Sequence, residues 1–247
     1  VEFDQNLLAE TNAFQMVVED ESQLASLPER LVIGAAEAAK EAGHEGQWVF
    51  TLHRPSIEPF LDSSDQRDLR RQLLDAYLAR GSNGNEHDNR EVLETIATLR
   101  AERARLLGYE SHADYVLEDR MAGTPTRVRE FLDRIWTPSL AMSKKEAEAL
   151  QEAIAADGGA FQLAAHDWRY YTDRIRRERY ALDDAEVRAY FSLENVLQGA
   201  FSVAHKLYGV TFTELDNLPV YHPEVRTFEV KDEDGSHLGI FYADYHP

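Results

Sequence analysis

Cysteine is missing from all 247 residues, which excludes disulfides, thiolate nucleophiles and cysteine metal ligands. Its absence fits a reducing compartment. Long apolar runs are missing too: nothing approaches the roughly 20 residues of a membrane-crossing helix, and no secretory leader is visible. Basic charge is scarce. Lys and Arg total 26 against 45 Asp and Glu, a formal net charge of −19, the wrong sign for gripping a phosphate backbone. Neither nucleic acid nor a membrane is expected as a partner. There is no Gly-rich phosphate loop, no nucleophile elbow, no repeat of fixed period and no low-complexity linker. A chain of this length can still bury a substantial core.

What is present is mostly helical periodicity. Phe3, Leu7 and Leu8 recur at helical spacing, and a small helix is predicted over 28–42, broken by Gly43 and Gly46. Residues 47–52 (QWVFTL) read as a strand that could pair with the segment near Met16, with Pro55 and Pro59 ending it. Helices are then predicted over 65–80, 86–107 and 111–121. A long one follows, opened by Thr124 as cap and Pro125 in the first turn and carrying Val128, Phe131, Leu132, Ile135 and Trp136 along one edge. Pro138 is expected to kink it and Gly158-Gly159 to end it. Further helices are predicted over 166–180 and 192–208, the latter with Val196, Leu197, Ala200, Phe201, Ala204 and Leu207 inward. Residues 183–186 resemble a capping box. Residues 210–212 read as a brief strand, and 220–245 as a hairpin turning at Asp234-Gly235. In that hairpin Val220, His222, Glu224, Arg226, Phe228 and Val230 would share one face.

No complete catalytic constellation appears. Residues 44–48 (HEGQW) come near a zinc-binding His-Glu-x-x-His, but the fifth position is Trp48 and Gly46 interrupts any helix, so a loop histidine is the better reading. His87 and Glu91 stand four apart, a spacing that could clip a metal, yet their polar surroundings read as a solvated helix start. The aromatic and basic run from His166 to Arg179 could take a carboxylate through guanidinium forks; with so many acids nearby, internal ion pairs are expected. His222, His237, His246 and Asp244 crowd the hairpin, where a metal site is the weaker alternative to an exposed groove lining.

Residues 165–183 (AHDWRYYTDRIRRERYALD), 219–226 (PVYHPEVR), 239–244 (GIFYAD), 47–52, 105–109 (RLLGY) and the run from Met121 to Thr124-Pro125 together resemble the bacterial peptidyl-dipeptidases of the thimet-oligopeptidase-like zinc metallopeptidases. The resemblance spans essentially the whole chain. It implies a mainly α fold with a small antiparallel hairpin or sheet at the C-terminal end, forming one partial domain over 1–247 on the N-terminal side of the catalytic region. Family polypeptides extend beyond both ends, and their His-Glu-x-x-His helix lies in the continuation. Zinc is thus expected in the full-length parent and none in this chain, which alone should be inactive. The parent would remove dipeptides from the C-termini of short peptides in the cytoplasm. This piece would supply a cleft wall and sheet, with Tyr221, His222, Tyr242, Asp244 and Tyr245 nearest the substrate and no catalytic residue of its own. Either the missing remainder or self-association would cover the exposed edge. The alternative is a non-catalytic, acidic helical interaction module.

Overall fold

The computed structural model describes residues 1–180 and 187–245. The chain is mainly helical with two small antiparallel sheets, and it divides into two compact units, Val1–Tyr180 and Ala181–Pro247.

The first unit runs α1 (Glu2–Ala13), β1 (Met16–Val18), α2 (Glu29–Glu41), β2 (Trp48–Phe50), α3 (Arg54–Ser63), α4 (Arg67–Ala79), α5 (Arg90–Leu106), α6 (His112–Leu117), α7 (Pro125–Ala156) and α8 (Ala165–Tyr180). β1 and β2 pair as the sequence suggested, with Met16 opposite Phe50 and Val18 opposite Trp48. Their buried side chains join Leu31 and Ala35 of α2, Ile57, Phe60 and Leu61 of α3 and Leu73 of α4 in the main core. Leu31, Ala35 and Ala39 lie one helical turn apart, so a single stripe of α2 is buried.

α3 was hidden by its prolines. Pro55 sits in the first turn, where its missing N–H leaves no hydrogen bond unmade, and Pro59 lies within the helix. Burial of Phe60, whose ring meets Phe50 edge-on at 4.6 Å, holds the segment helical across that defect. Full burial of such a side chain contributes roughly 1.5–3 kcal/mol. In α7, Thr124 Oγ1 accepts from the Arg127 amide at 3.3 Å and Pro125 occupies the first turn, as read from the sequence. The helical element continues past Pro138 to Ala156, where Leu150 and Ile154 pack against Tyr171 of α8. α5 starts later than expected, because residues 85–88 form a turn ahead of Asn89. Leu99 and Leu106 of α5 are exposed.

The second unit holds α9 (Leu193–Tyr208), β3 (Thr211–Leu215), β4 (Arg226–Lys231) and β5 (His237–Ala243), with β4 central in an antiparallel sheet. Ser192 caps α9 by accepting from the Asn195 amide, and Gly209 ends it at φ 73°, a left-handed conformation suited to glycine. Leu197 and Phe201 meet the sheet face bearing Phe212, Phe228, Phe241 and Ala243, with Phe201 stacked on Phe212 at 4.0 Å. Val196, Ala200 and Leu207, expected inward, are exposed; one sheet face covers only one side of α9. The hairpin turn falls as predicted, with Gly235 N donating to the Asp232 carbonyl at 3.0 Å. Residues 220–225, however, are not strand. Val225 N donates to the His222 carbonyl at 3.1 Å in a turn whose second position is Pro223, which favours that position because its φ is preset. His222 and Glu224 therefore do not continue the face of Arg226. The capping-box residues 183–186 lie outside the described residues.

Candidate functional site

β5 is the edge of its sheet: one side pairs with β4 and, among the described residues, the other pairs with nothing. Tyr242 stands opposite Thr227 and Ile240 opposite Glu229, on the face away from α9. A register shift between Val230 and Lys231 bulges the start of β5 around Leu238. Leu238, Ile240 and Tyr242 are exposed at 55%, 39% and 46%. This edge offers a row of free backbone donors and acceptors flanked by large apolar side chains.

Two of the sequence-predicted site residues are brought together at the far end of that strand. The Tyr221 hydroxyl donates to Asp244 Oδ2, joining the loop before β4 to the residue after β5. The Asp244 carboxylate raises the Tyr221 phenol above its ordinary pKa, so the phenol stays a donor at neutral pH. Tyr242 lies within β5, and Tyr245 is exposed two residues beyond it. His222 is not drawn into the pair. It stands exposed with its Nδ1 3.9 Å from Glu224 Oε2. His237 turns instead to Glu229, Nδ1 to Oε1 at 3.1 Å across the hairpin. The two histidines thus have separate carboxylate partners, and His246 lies outside the described residues.

The other candidates resolve structurally. His44 begins the turn between α2 and β2, its carbonyl accepting from Gln47 N at 3.1 Å. His87 precedes the start of α5, so it and Glu91 do not share a helix turn. The His166–Arg179 run makes internal ion pairs, as expected. Arg169 forks onto Asp62, Arg174 reaches Asp157 at 2.7 Å, and Asp173 takes both Arg176 and Arg177.

Two features escaped the sequence reading. Asp167, fully buried, receives Arg67 Nε and Nη2 on its two oxygens, and Arg70 Nη2 as well, all at 2.9 Å. Arg70, also buried, donates further to the carbonyls of His166 and Ser64. Burial pushes the Asp167 pKa up, but the Arg67 fork, the Ala164 amide and Arg70 together hold it below the ordinary aspartate value. Glu10 is the second. Its carboxylate accepts from Gly81 N, Asn83 Nδ2 and Asn85 Nδ2. Both join segments about 70 or more positions apart, and no local spacing signals such a pairing.

Among the described residues no group of three His, Asp or Glu comes together as a metal-ligand set. The described residues therefore do not fit a zinc centre.

Residues 60–247 match the family model described as Peptidase family M3. The chain belongs to that family. Over 246 residues, 99% of its own length, this M3 chain is 37% identical to a dipeptidyl carboxypeptidase of Salmonella typhimurium, and it covers 36% of that protein. It is 34% identical over 247 residues to oligopeptidase A of the same organism, again covering 36% of it. An Escherichia coli dipeptidyl carboxypeptidase is 34% identical over 245 residues. The chain thus spans about a third of the length of these peptidase relatives.

Proposed function

We propose that this M3 chain is the part of a zinc-dependent peptidyl-dipeptidase that carries no zinc ligands, supplying a cleft wall and sheet for short peptides whose C-terminal dipeptides are released. The observation that carries this reading is its similarity, over 99% of its own length, to proteins named as dipeptidyl carboxypeptidases of which it matches 36%. The chain would then act as one partial domain of the parent, in the cytoplasm, and be inactive alone.

Within this reading the substrate-facing residues are Tyr221, His222, Tyr242, Asp244 and Tyr245. An extended peptide can add as a strand to an open sheet edge, taking main-chain hydrogen bonds there and side-chain contacts from alternate residues. β5 is such an edge, and the Tyr221–Asp244 pair stands at its end.

The test is a peptidase assay with an internally quenched peptide and added zinc. The 247-residue chain shows no chelator-sensitive cleavage, whereas the longer polypeptide cleaves and is stopped by chelator. In that longer polypeptide Tyr221→Phe and Tyr242→Ala raise KM with a smaller effect on kcat. Chelator-sensitive cleavage by the 247-residue chain alone overturns the placement of zinc elsewhere, and an unchanged KM removes the two tyrosines from the site.

A further inference from the structure

The segment joining α4 to α5 is fastened to α1 at both ends, by Arg80 on Thr11 and by Asn89 on Asn6 and Phe3, and in between its 81–85 turn is held by one carboxylate. Glu10, buried at 7% exposure, accepts from Gly81 N, from Asn83 Nδ2 at 2.9 Å and from Asn85 Nδ2 at 2.7 Å. Burial pushes the Glu10 pKa up, but these three donors hold it below the ordinary glutamate value, so the group is anionic at neutral pH. Asn83 is followed by Gly84, and both are exposed to water. Gly84 has no side chain to hinder its backbone nitrogen, and its φ of 70° is one that glycine adopts freely.

We propose that Asn83 is a site of spontaneous deamidation, and that the change loosens the 81–85 turn from Glu10 of α1 while Asn89 keeps its own bonds to that helix. The Gly84 backbone nitrogen attacks Asn83 Cγ and loses its proton to solvent hydroxide. A new N–Cγ bond forms, the Cγ–Nδ2 bond breaks as Nδ2 takes a proton from water, and ammonia leaves, closing a five-membered succinimide. Water then opens the ring at either carbonyl, giving aspartate or its β-linked isomer. In the aspartate product the amide donor at 2.9 Å from Glu10 becomes a carboxylate; in the β-linked isomer that carbon joins the main chain and the free carboxylate stands on Cα, so both products lose the donor and add a negative charge beside Glu10. Attraction is replaced by repulsion between two carboxylates, one of them buried, where screening by water is weakest. The Asp88 carboxylate now accepts the Gly84 N–H at 2.8 Å, so each cyclisation requires that bond to open. Asn85 is an internal control. It shares the Glu10 partner, but Glu86 follows it and shields the attacking nitrogen.

The native chain is held at mildly alkaline pH and sampled over days by tryptic mapping of the 81–90 peptide. Asn83 accumulates the mass gain that separates an acid from its amide, as two chromatographically distinct isomers, while Asn85 and Asn89 stay unchanged. Conversion of Asn83 in urea-unfolded chain but not in native chain overturns the proposal. For the loosening step, Asn83→Asp is compared with Asn83→Ser, since both lose the amide donor and only the first adds charge. Asn83→Asp melts lower by at least about 2 °C and exchanges its α1 amides faster. Equal melting and equal exchange in the two variants overturn the loosening step.

Discussion

Asp167 shows how one side chain can decide a packing arrangement. It is fully buried, yet its two oxygens take three guanidinium hydrogen bonds and the Ala164 amide, so α4 and α8 meet over a satisfied charge. Replacing it by Ala would leave the buried Arg70 guanidinium without its anion. Stranding a buried charge costs about 3–5 kcal/mol, read as a lower urea midpoint with unchanged slope. A loss under about 1 kcal/mol would mean the pair behaves like a surface ion pair. The same cluster makes stability depend on pH. Burial lowers the pKa of His166, whose Nε2 has no hydrogen-bond partner; the nearby Asp167 opposes the shift and Arg67, Arg70 and Arg71 add to it. The unfolded chain therefore binds a proton near 6.5 that the folded chain refuses, and stability falls as pH drops through that value. Asp167 and Glu10, both held low, contribute stability that is complete above the ordinary 3.8 and 4.5 and is lost as pH falls through their folded values. All three act in one direction. Chemical denaturation at stepped pH is expected to show steady loss below about 6.5, and His166→Asn to remove the upper limb alone. An unchanged upper limb in that variant would assign it to another group.

Among the elements, β5 and α3 teach opposite lessons. The alternation of residues 237–243 and the Asp234-Gly235 turn were legible because a hairpin is a local object. α3 was illegible because two prolines in ten residues argue against a helix, and only the burial of Ile57, Phe60 and Leu61 outweighs them. Residues 220–225 failed for a related reason: alternation predicted strand, and Pro223 in a turn won. α9 was placed correctly but its burial was overestimated, since periodicity cannot say whether one or two surfaces will cover a helix. The open edge of β5 carries a prediction of its own. Leu238, Ile240 and Tyr242 beside unpaired backbone favour pairing with another copy, and a lysine on an edge strand opposes it. Sedimentation of the 247-residue chain is expected to show association that grows with concentration and that Ile240→Lys suppresses. A strictly monomeric wild-type profile at high concentration would contradict this.

For the whole molecule, an excess of 19 negative charges is the largest feature that no single contact explains. Self-repulsion of that size opposes the compact state, and salt screens it. Raising ionic strength from about 0.01 M to about 0.15 M shortens the screening length from roughly 30 Å to roughly 8 Å. The melting temperature is expected to rise across that range, because exposed pairs such as Arg226 with Glu214 and Glu194, which salt also weakens, contribute little to stability in water. A fall in melting temperature would rank those pairs above the net repulsion. The sequence by itself determined what depends on neighbours along the chain: the helix cap at Thr124, the glycine stops and the hairpin turn. Only the tertiary structure decided that Asp167 meets Arg67 and Arg70, that Glu10 holds the 81–85 turn, that Tyr221 meets Asp244 and that His222 and His237 stay apart. The physical reason is distance along the chain. A cap or turn satisfies hydrogen bonds within four residues, whereas a buried carboxylate finds its partners wherever packing delivers them.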